Sequence, residues 1–211
     1  MKNKLWIFGD SYSTGWVHQF DKIENNWTKL LADKLDLELI NTAEAGNSNL
    51  QVGIRIVENI PNINENDIVI YQSCFWETVR VIEANIMYFD NNDWQVKEEN
   101  GVGFRVKKSE ETLSKKPQII QSNSELYIKF YTLLKTRTNN VFCWYLNKGN
   151  LSQYNVDNGK FILNLDGGDN FYEWLDEHPE YWTTKGDKHL NQEGHELWAE
   201  HIHKTIVNET R

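Results

Sequence analysis

The chain has 211 residues, 39% of them apolar and with 9 Trp, 9 Tyr and 9 Phe, which is material for one domain with a full core. Twenty-two Lys and Arg stand against 31 Asp and Glu, a formal charge of -9, so no nucleic-acid partner and no membrane surface is expected. Cys74 and Cys143 are too few for a disulfide framework or a cysteine zinc site, and no apolar run approaches the roughly 18 residues of a membrane helix.

Lys2 and Lys4 precede only four apolar residues, Leu5 to Phe8, whereas a secretory core needs roughly 7–15. A cytoplasmic protein is the expectation. Leu5–Phe8 reads as a short buried strand ending in Gly9-Asp10-Ser11. Trp27, Leu30, Leu31 and Leu35 recur on one helical face. Leu37–Ile40 is a second strand, and Leu50–Ile60 a helix that Pro61 ends. Ile68–Tyr71 is a third strand; Leu126, Phe130, Leu133 and Leu134 mark a long helix, followed by a strand over Val141–Leu146. A last helix carries Leu197, Trp198, Ile202 and Ile206, with Asn191 as its N-cap. Residues 84–118 break the alternation. Trp94 and Val96 against Phe104 and Val106 suggest a small β-hairpin there, an excursion from one domain spanning 1–211.

Strands alternating with helices define an α/β fold with a parallel sheet, and ligands of such sheets bind beyond the carboxyl ends of the strands. The residues to question are therefore Gly9–Gly15, Ala45–Asn49, Gln72–Cys74 and the loop Gly186–His195. A serine in a Gly-flanked turn exposes its hydroxyl at the rim, and its own N–H at a helix start can face a developing oxyanion. The hydroxyl needs a base, and the base an orienting carboxylate. Asp187 and His189 are two apart, so in extended backbone their side chains point the same way.

Other readings compete. Gly9–Gly15 lacks the Gly-Lys-Ser/Thr and Gly-x-Gly-x-x-Gly of nucleotide loops. Cys74 and Cys143 read as buried thiols, and Asp10 as a tie for the turn through backbone N–H groups. His201 and His203 face different ways on a helix, so they are no metal pair, and His195 is a first-turn helix residue beside the site. Asp157-Asn158-Gly159 and Asp166–Asp169 are acidic turns with too few ligands for calcium. Trp76, Trp94, Trp144, Tyr172, Trp174, Tyr181 and Trp182 either pack the interior or offer faces to sugar rings and acyl chains.

Phe8–Gly15, Ala45–Asn49 and Asp187–His195 resemble, in order and spacing, the first, second and closing blocks of the SGNH (GDSL-type) hydrolases. The resemblance implies a three-layer α/β/α sandwich with a five-stranded parallel sheet, and ester hydrolysis with no metal or cofactor. It assigns Ser11 as nucleophile, His189 as general base and acid, Asp187 as its partner, and the N–H groups of Ser11 and Gly46 to the oxyanion hole. Two departures stand out. The family's third block, Gly-x-Asn-Asp, is replaced by Gln72-Ser73-Cys74-Phe75, so Gln72, Ser73 or Asn49 is expected to supply the missing donor. The closing block has Asp-x-His where many members have Asp-x-x-His.

The expected function is a serine esterase acting on carboxylic or O-acetyl esters, small or saccharide-linked. The alternatives are a catalytically weak glycan-binding or structural module of the same fold, or an O-acyltransferase.

Overall fold

A computed structural model describes residues 2–15, 23–74, 86–89, 94–99, 102–107, 116–146, 159–168, 170–184 and 187–210. Trp76, Asp157, Asn158, Asp169, Gly186 and parts of the 84–118 excursion lie outside them.

The chain opens with β1 (Lys4–Phe8), a helical turn α1 (Ser11–Thr14), α2 (Trp27–Leu35), β2 (Glu38–Asn41), α3 (Asn49–Asn59) and β3 (Ile68–Ser73). Three antiparallel strands follow: β4 (Ile86–Phe89), β5 (Trp94–Glu99) and β6 (Val102–Lys107). The β5–β6 pair is the expected hairpin, and β4 extends it. Then come α4 (Lys116–Lys135), β7 (Val141–Tyr145), β8 (Lys160–Ile162), α5 (Phe171–Glu177), β9 (Trp182–Thr184), β10 (Asp187–Leu190) and α6 (Gln192–Glu209).

Five strands pair in parallel in the order β2-β1-β3-β7-β8. Helices cover both faces, and the alternation within β1 shows how. Leu5 and Ile7 join Trp27, Leu31, Trp198 and Ile202 in one buried cluster, while Trp6 and Phe8 join Val52, Ile56, Tyr127 and Leu134 in another. Successive side chains of a strand point to opposite faces, so a wholly apolar strand requires an apolar layer on each side. This is the three-layer α/β/α sandwich.

Local chemistry starts the helices where the alternation demands. Asn26 accepts from the N–H groups of Thr28 and Lys29 to open α2. Ser48 and Gln51 form a reciprocal capping box at α3, and Asn191 accepts from Gly194 N–H at α6. The Phe130 ring of α4 occupies the space a Cβ on Gly53 of α3 would need, which brings these two helices close together.

Strands β9 and β10 form a small antiparallel pair where an extended loop was expected. Neither β8 nor α5 is among the elements expected from the sequence. Among the described residues no helix is long and apolar enough to cross a membrane.

Candidate active site

The turn after β1 is built for close approach. A Cβ on Gly9 would collide with Gln72 Oε1 and with Ser13 Oγ. Asp10 is extended, and its carboxylate caps α1 by accepting from Tyr12 N–H at 3.1 Å. Ser13 N–H bonds to the Asp10 carbonyl at 3.0 Å, and Gly15, at φ 72°, closes the turn in the left-handed region. Ser11 is thus the first helical residue at the carboxyl end of β1, its side chain half-buried.

The second part arrives from the other end of the chain. Asp187 and His189 lie two apart on β10 and so on one side of it, which is why the short Asp-x-His spacing still permits contact. Asp187 Oδ1 lies 2.5 Å from His189 Nδ1 and also accepts from His189 N–H at 3.1 Å. His189 Nε2 lies 2.8 Å from Ser11 Oγ. Burial by itself raises the Asp187 carboxyl; the hydrogen bonds from the His189 ring and backbone outweigh it and hold the group below its ordinary value. An ionised Asp187 can only accept, so Nδ1 carries the hydrogen and Nε2 turns its lone pair to the Ser11 hydroxyl. Tyr12 stacks on the imidazole with ring centroids 4.7 Å apart, itself held edge-on by Phe171. A hydroxyl that can pass its proton to an imidazole steadied by a carboxylate is equipped to attack a carbonyl carbon.

The remaining candidates are placed differently. Gly46 sits exposed at φ 76° in the turn after β2, and Asn47 Nδ2 ties that turn to the Gly9 carbonyl at 3.0 Å. Asn49 grips the Cys74 backbone at both ends, accepting from its N–H at 2.9 Å and donating to its carbonyl at 3.4 Å. Ser73 Oγ accepts from Leu146 N–H at 3.2 Å. Gln72 donates from Nε2 to Asp10 Oδ1 at 2.6 Å, and its Oε1 accepts from Ser13 Oγ and from Asp10 N–H at 3.4 Å. The structure therefore brings Ser11, His189 and Asp187 together. The Asn49, Gln72 and Ser73 side chains are each tied into buried bonds behind the rim.

That buried layer carries its own electrostatics. Burial pushes the Asp10 carboxyl from 3.8 up to about 6, against the lowering pull of Gln72, Tyr12 N–H, His189 and the Cys74 thiol. Burial also drives both thiols up, Cys143 to about 12, which matches inert buried cysteines. His195 is buried too and falls from 6.5 to about 3; its Nδ1 accepts from Trp27 N–H at 3.3 Å, a structural bond at the start of α2. Trp144 and Trp174 belong to the core, while Tyr172, Tyr181 and Trp182 are half-buried against it. The Lys188 ammonium lies 4.0 Å from the Tyr172 ring centroid and pairs with Asp176. His201 Nε2 bonds to the Leu163 carbonyl oxygen at 2.6 Å. Among the described residues no group of three or more His, Cys, Asp or Glu is placed to hold a metal ion.

Two partners of the site were missed from sequence, the Tyr12 platform and the Gln72–Asp10 pair. Tyr12 follows Ser11 directly, a usable signal; nothing in the spacing of Asp10 and Gln72 announces their contact.

By sequence, no family model and no curated protein matches the chain. Solved structures do match its fold. A member of the lipolytic G-D-S-L family from Veillonella parvula superposes with a TM-score of 0.57 at 14% identity, covering 97% of this chain and 98% of that one. A psychrotrophic esterase from a Pseudoalteromonas species, inhibited by monoethylphosphonate, gives 0.56 at 16% identity over 99% and 98%. An acetyl xylan esterase from Butyrivibrio proteoclasticus gives 0.54 at 12% identity, covering 99% of this chain and 64% of that one. The chain therefore has the α/β/α fold of the GDSL (SGNH) hydrolases, the one its sequence blocks imply.

Proposed function

We propose that the protein is a serine esterase that hydrolyses carboxylic or O-acetyl esters, saccharide-linked ones included, through an acyl-enzyme on Ser11. The observation that carries this is the continuous chain from Ser11 Oγ to His189 Nε2 at 2.8 Å and from His189 Nδ1 to Asp187 at 2.5 Å. Ser11 Oγ attacks the ester carbonyl carbon as its proton passes to His189 Nε2. Asp187 steadies the imidazolium that results. The oxyanion is received by the backbone N–H groups of Ser11 and Gly46, each such donor contributing about 3–4 kcal/mol in the transition state. His189 returns the proton to the departing alcohol, leaving Ser11 acylated. A water molecule then attacks the acyl carbon, giving its proton to His189, and the carboxylic acid leaves as Ser11 recovers its hydrogen.

The fold resemblance to an acetyl xylan esterase and to a phosphonate-inhibited esterase supports this chemistry. The test is hydrolysis of p-nitrophenyl acetate by the wild-type protein and Ser11→Ala, both checked for folding, together with labelling by an organophosphonate. Turnover and labelling that vanish in Ser11→Ala are the expected result. Equal background rates in both proteins, with no label on Ser11, would sink the proposal and favour a binding module.

A further inference from the structure

Gln72 is the side chain on which the Ser11 turn rests. Its carboxamide touches that turn on both sides of Ser11: Oε1 accepts from Ser13 Oγ and Asp10 N–H, and Nε2 donates to Asp10 Oδ1. The same Asp10 oxygen caps Tyr12 N–H at 3.1 Å, so one carboxamide braces Asp10 and Ser13 directly and Tyr12 through Asp10. Its orientation is dictated by chemistry, because exchanging oxygen and nitrogen would set the amide oxygen against an acceptor carboxylate. Gly9 leaves no room between the turn and this amide. The other groups around Asp10 are the Cys74 thiol, the His189 imidazole and the Tyr12 phenol, and none of them reproduces the Gln72 contacts.

We infer that Gln72 is a positioning residue: acting through Asp10 and Ser13, it sets where the Ser11 hydroxyl meets His189, and it is not a donor to the oxyanion. The inference rests on the reading of Ser11 as nucleophile. A reacting atom misplaced by about 1 Å costs up to about a hundredfold in rate, and the Ser11–His189 contact depends on the turn staying where the amide holds it.

Two substitutions test it. Gln72→Met keeps the length and removes every hydrogen bond. It is expected to lower kcat for p-nitrophenyl acetate by about ten- to a hundredfold with KM within about twofold. Gln72→Glu keeps the acceptor oxygen but turns the donor into a second oxygen facing Asp10. Near about pH 5.5 one shared proton restores the lost donor; a buried pair this close gives that proton up only well above the ordinary carboxylate range, so the comparison is made at about pH 9.5, where two ionised carboxylates repel. The rate of Gln72→Glu relative to wild type is therefore expected to be at least about tenfold better at the lower pH. A general packing defect gives the same ratio at both, and a lost oxyanion donor leaves Ser11 Oγ in place against His189 Nε2 in crystals of either variant. That equal ratio overturns the inference, as does a Gln72→Met kcat within about twofold of wild type. A crystal structure of Gln72→Met supplies a readout independent of turnover. Ser11 Oγ displaced from His189 Nε2 supports the inference, and an unmoved 2.8 Å contact overturns it. The phosphonate test on wild type separately decides whether Ser11 is a nucleophile, and if Gln72→Met does not fold, the pH ratio and the crystal structure of Gln72→Glu decide the positioning role.

Discussion

Removing the charge beneath the Ser11 turn, with Asp10→Asn, should change how stability depends on pH, and the size of the change follows from burial. Asp10 titrates at about 6 in the folded chain against 3.8 ordinarily. Because the folded value is raised, the native state holds the proton more tightly than the unfolded chain. The contribution of Asp10 to stability therefore grows as pH falls through about 6 and is complete below 3.8. Over the full span it amounts to about 3 kcal/mol, of which about half is present at pH 5 relative to pH 8. His195 works in the opposite sense. Its folded value is lowered from 6.5 to about 3, so stability is lost as pH falls below 6.5, by about 2 kcal/mol at pH 5. The two oppose each other in the wild-type protein, so only a comparison between proteins isolates Asp10.

The assay is urea unfolding of wild type and Asp10→Asn at pH 5 and at pH 8. Every titrating group the two share, His195 included, drops out of the difference. The stability of wild type over the variant should be about 1–2 kcal/mol larger at pH 5 than at pH 8, a midpoint change of about 0.5–1 M for a slope of about 2 kcal/mol per molar. A difference constant within about 0.3 kcal/mol would mean that Asp10 titrates as in the open chain, and one that shrinks on acidification would mean its carboxylate is stabilised by the site. Either result refutes the burial argument.

Asp187→Asn leaves the shape of the site but reverses the hydrogen-bonding demand on His189 Nδ1, favouring the tautomer whose Nε2 carries a hydrogen toward Ser11. The expected loss is on the order of 10³–10⁴ in kcat for p-nitrophenyl acetate, with circular dichroism and KM little changed; a loss below about tenfold would remove Asp187 from the role. Gly53→Ala places a methyl group inside the Phe130 ring. It should destabilise the α3–α4 packing by about 1–3 kcal/mol in the same unfolding assay, and an unchanged midpoint would contradict the close approach.

The parts of the fold that are legible in the sequence are those where burial leaves a period. Leu5–Phe8 of β1, Ile68–Tyr71 of β3 and all of β7 are apolar runs because both faces are covered, and α2 keeps Trp27 and Leu31 at helical spacing against the sheet. β8 is three residues long at the sheet edge, too short to show any period. α5 is a different case: Phe171, Trp174 and Leu175 sit at i, i+3 and i+4 behind an Asn170 cap, but the aromatics of this segment are equally consistent with interior packing and with faces offered to a ligand, which hides the helical period. In the site, Ser11, Asp187 and His189 are legible because each pair of neighbours is set by local backbone, a turn or a strand. The partners of Asn49, Gln72 and Ser73 are set by how β3 pairs with β1 and β7, with Tyr71 opposite Phe8 and Cys143, and no local pattern encodes that register.

That register gives the altered third block a physical meaning. Three successive residues at the end of β3 brace three different neighbours: Gln72 the Ser11 turn, Ser73 the exit of β7 through Leu146 N–H, and the Cys74 backbone the start of α3 through Asn49. Buried polar groups must be paired, and pairing them across the rim links loops that would otherwise move independently. The arrangement ties each of these side chains into the loops behind the sheet's carboxyl edge. Only the Gln72 brace runs through the residues flanking Ser11, which is why it alone of the three is expected to be read out in kcat.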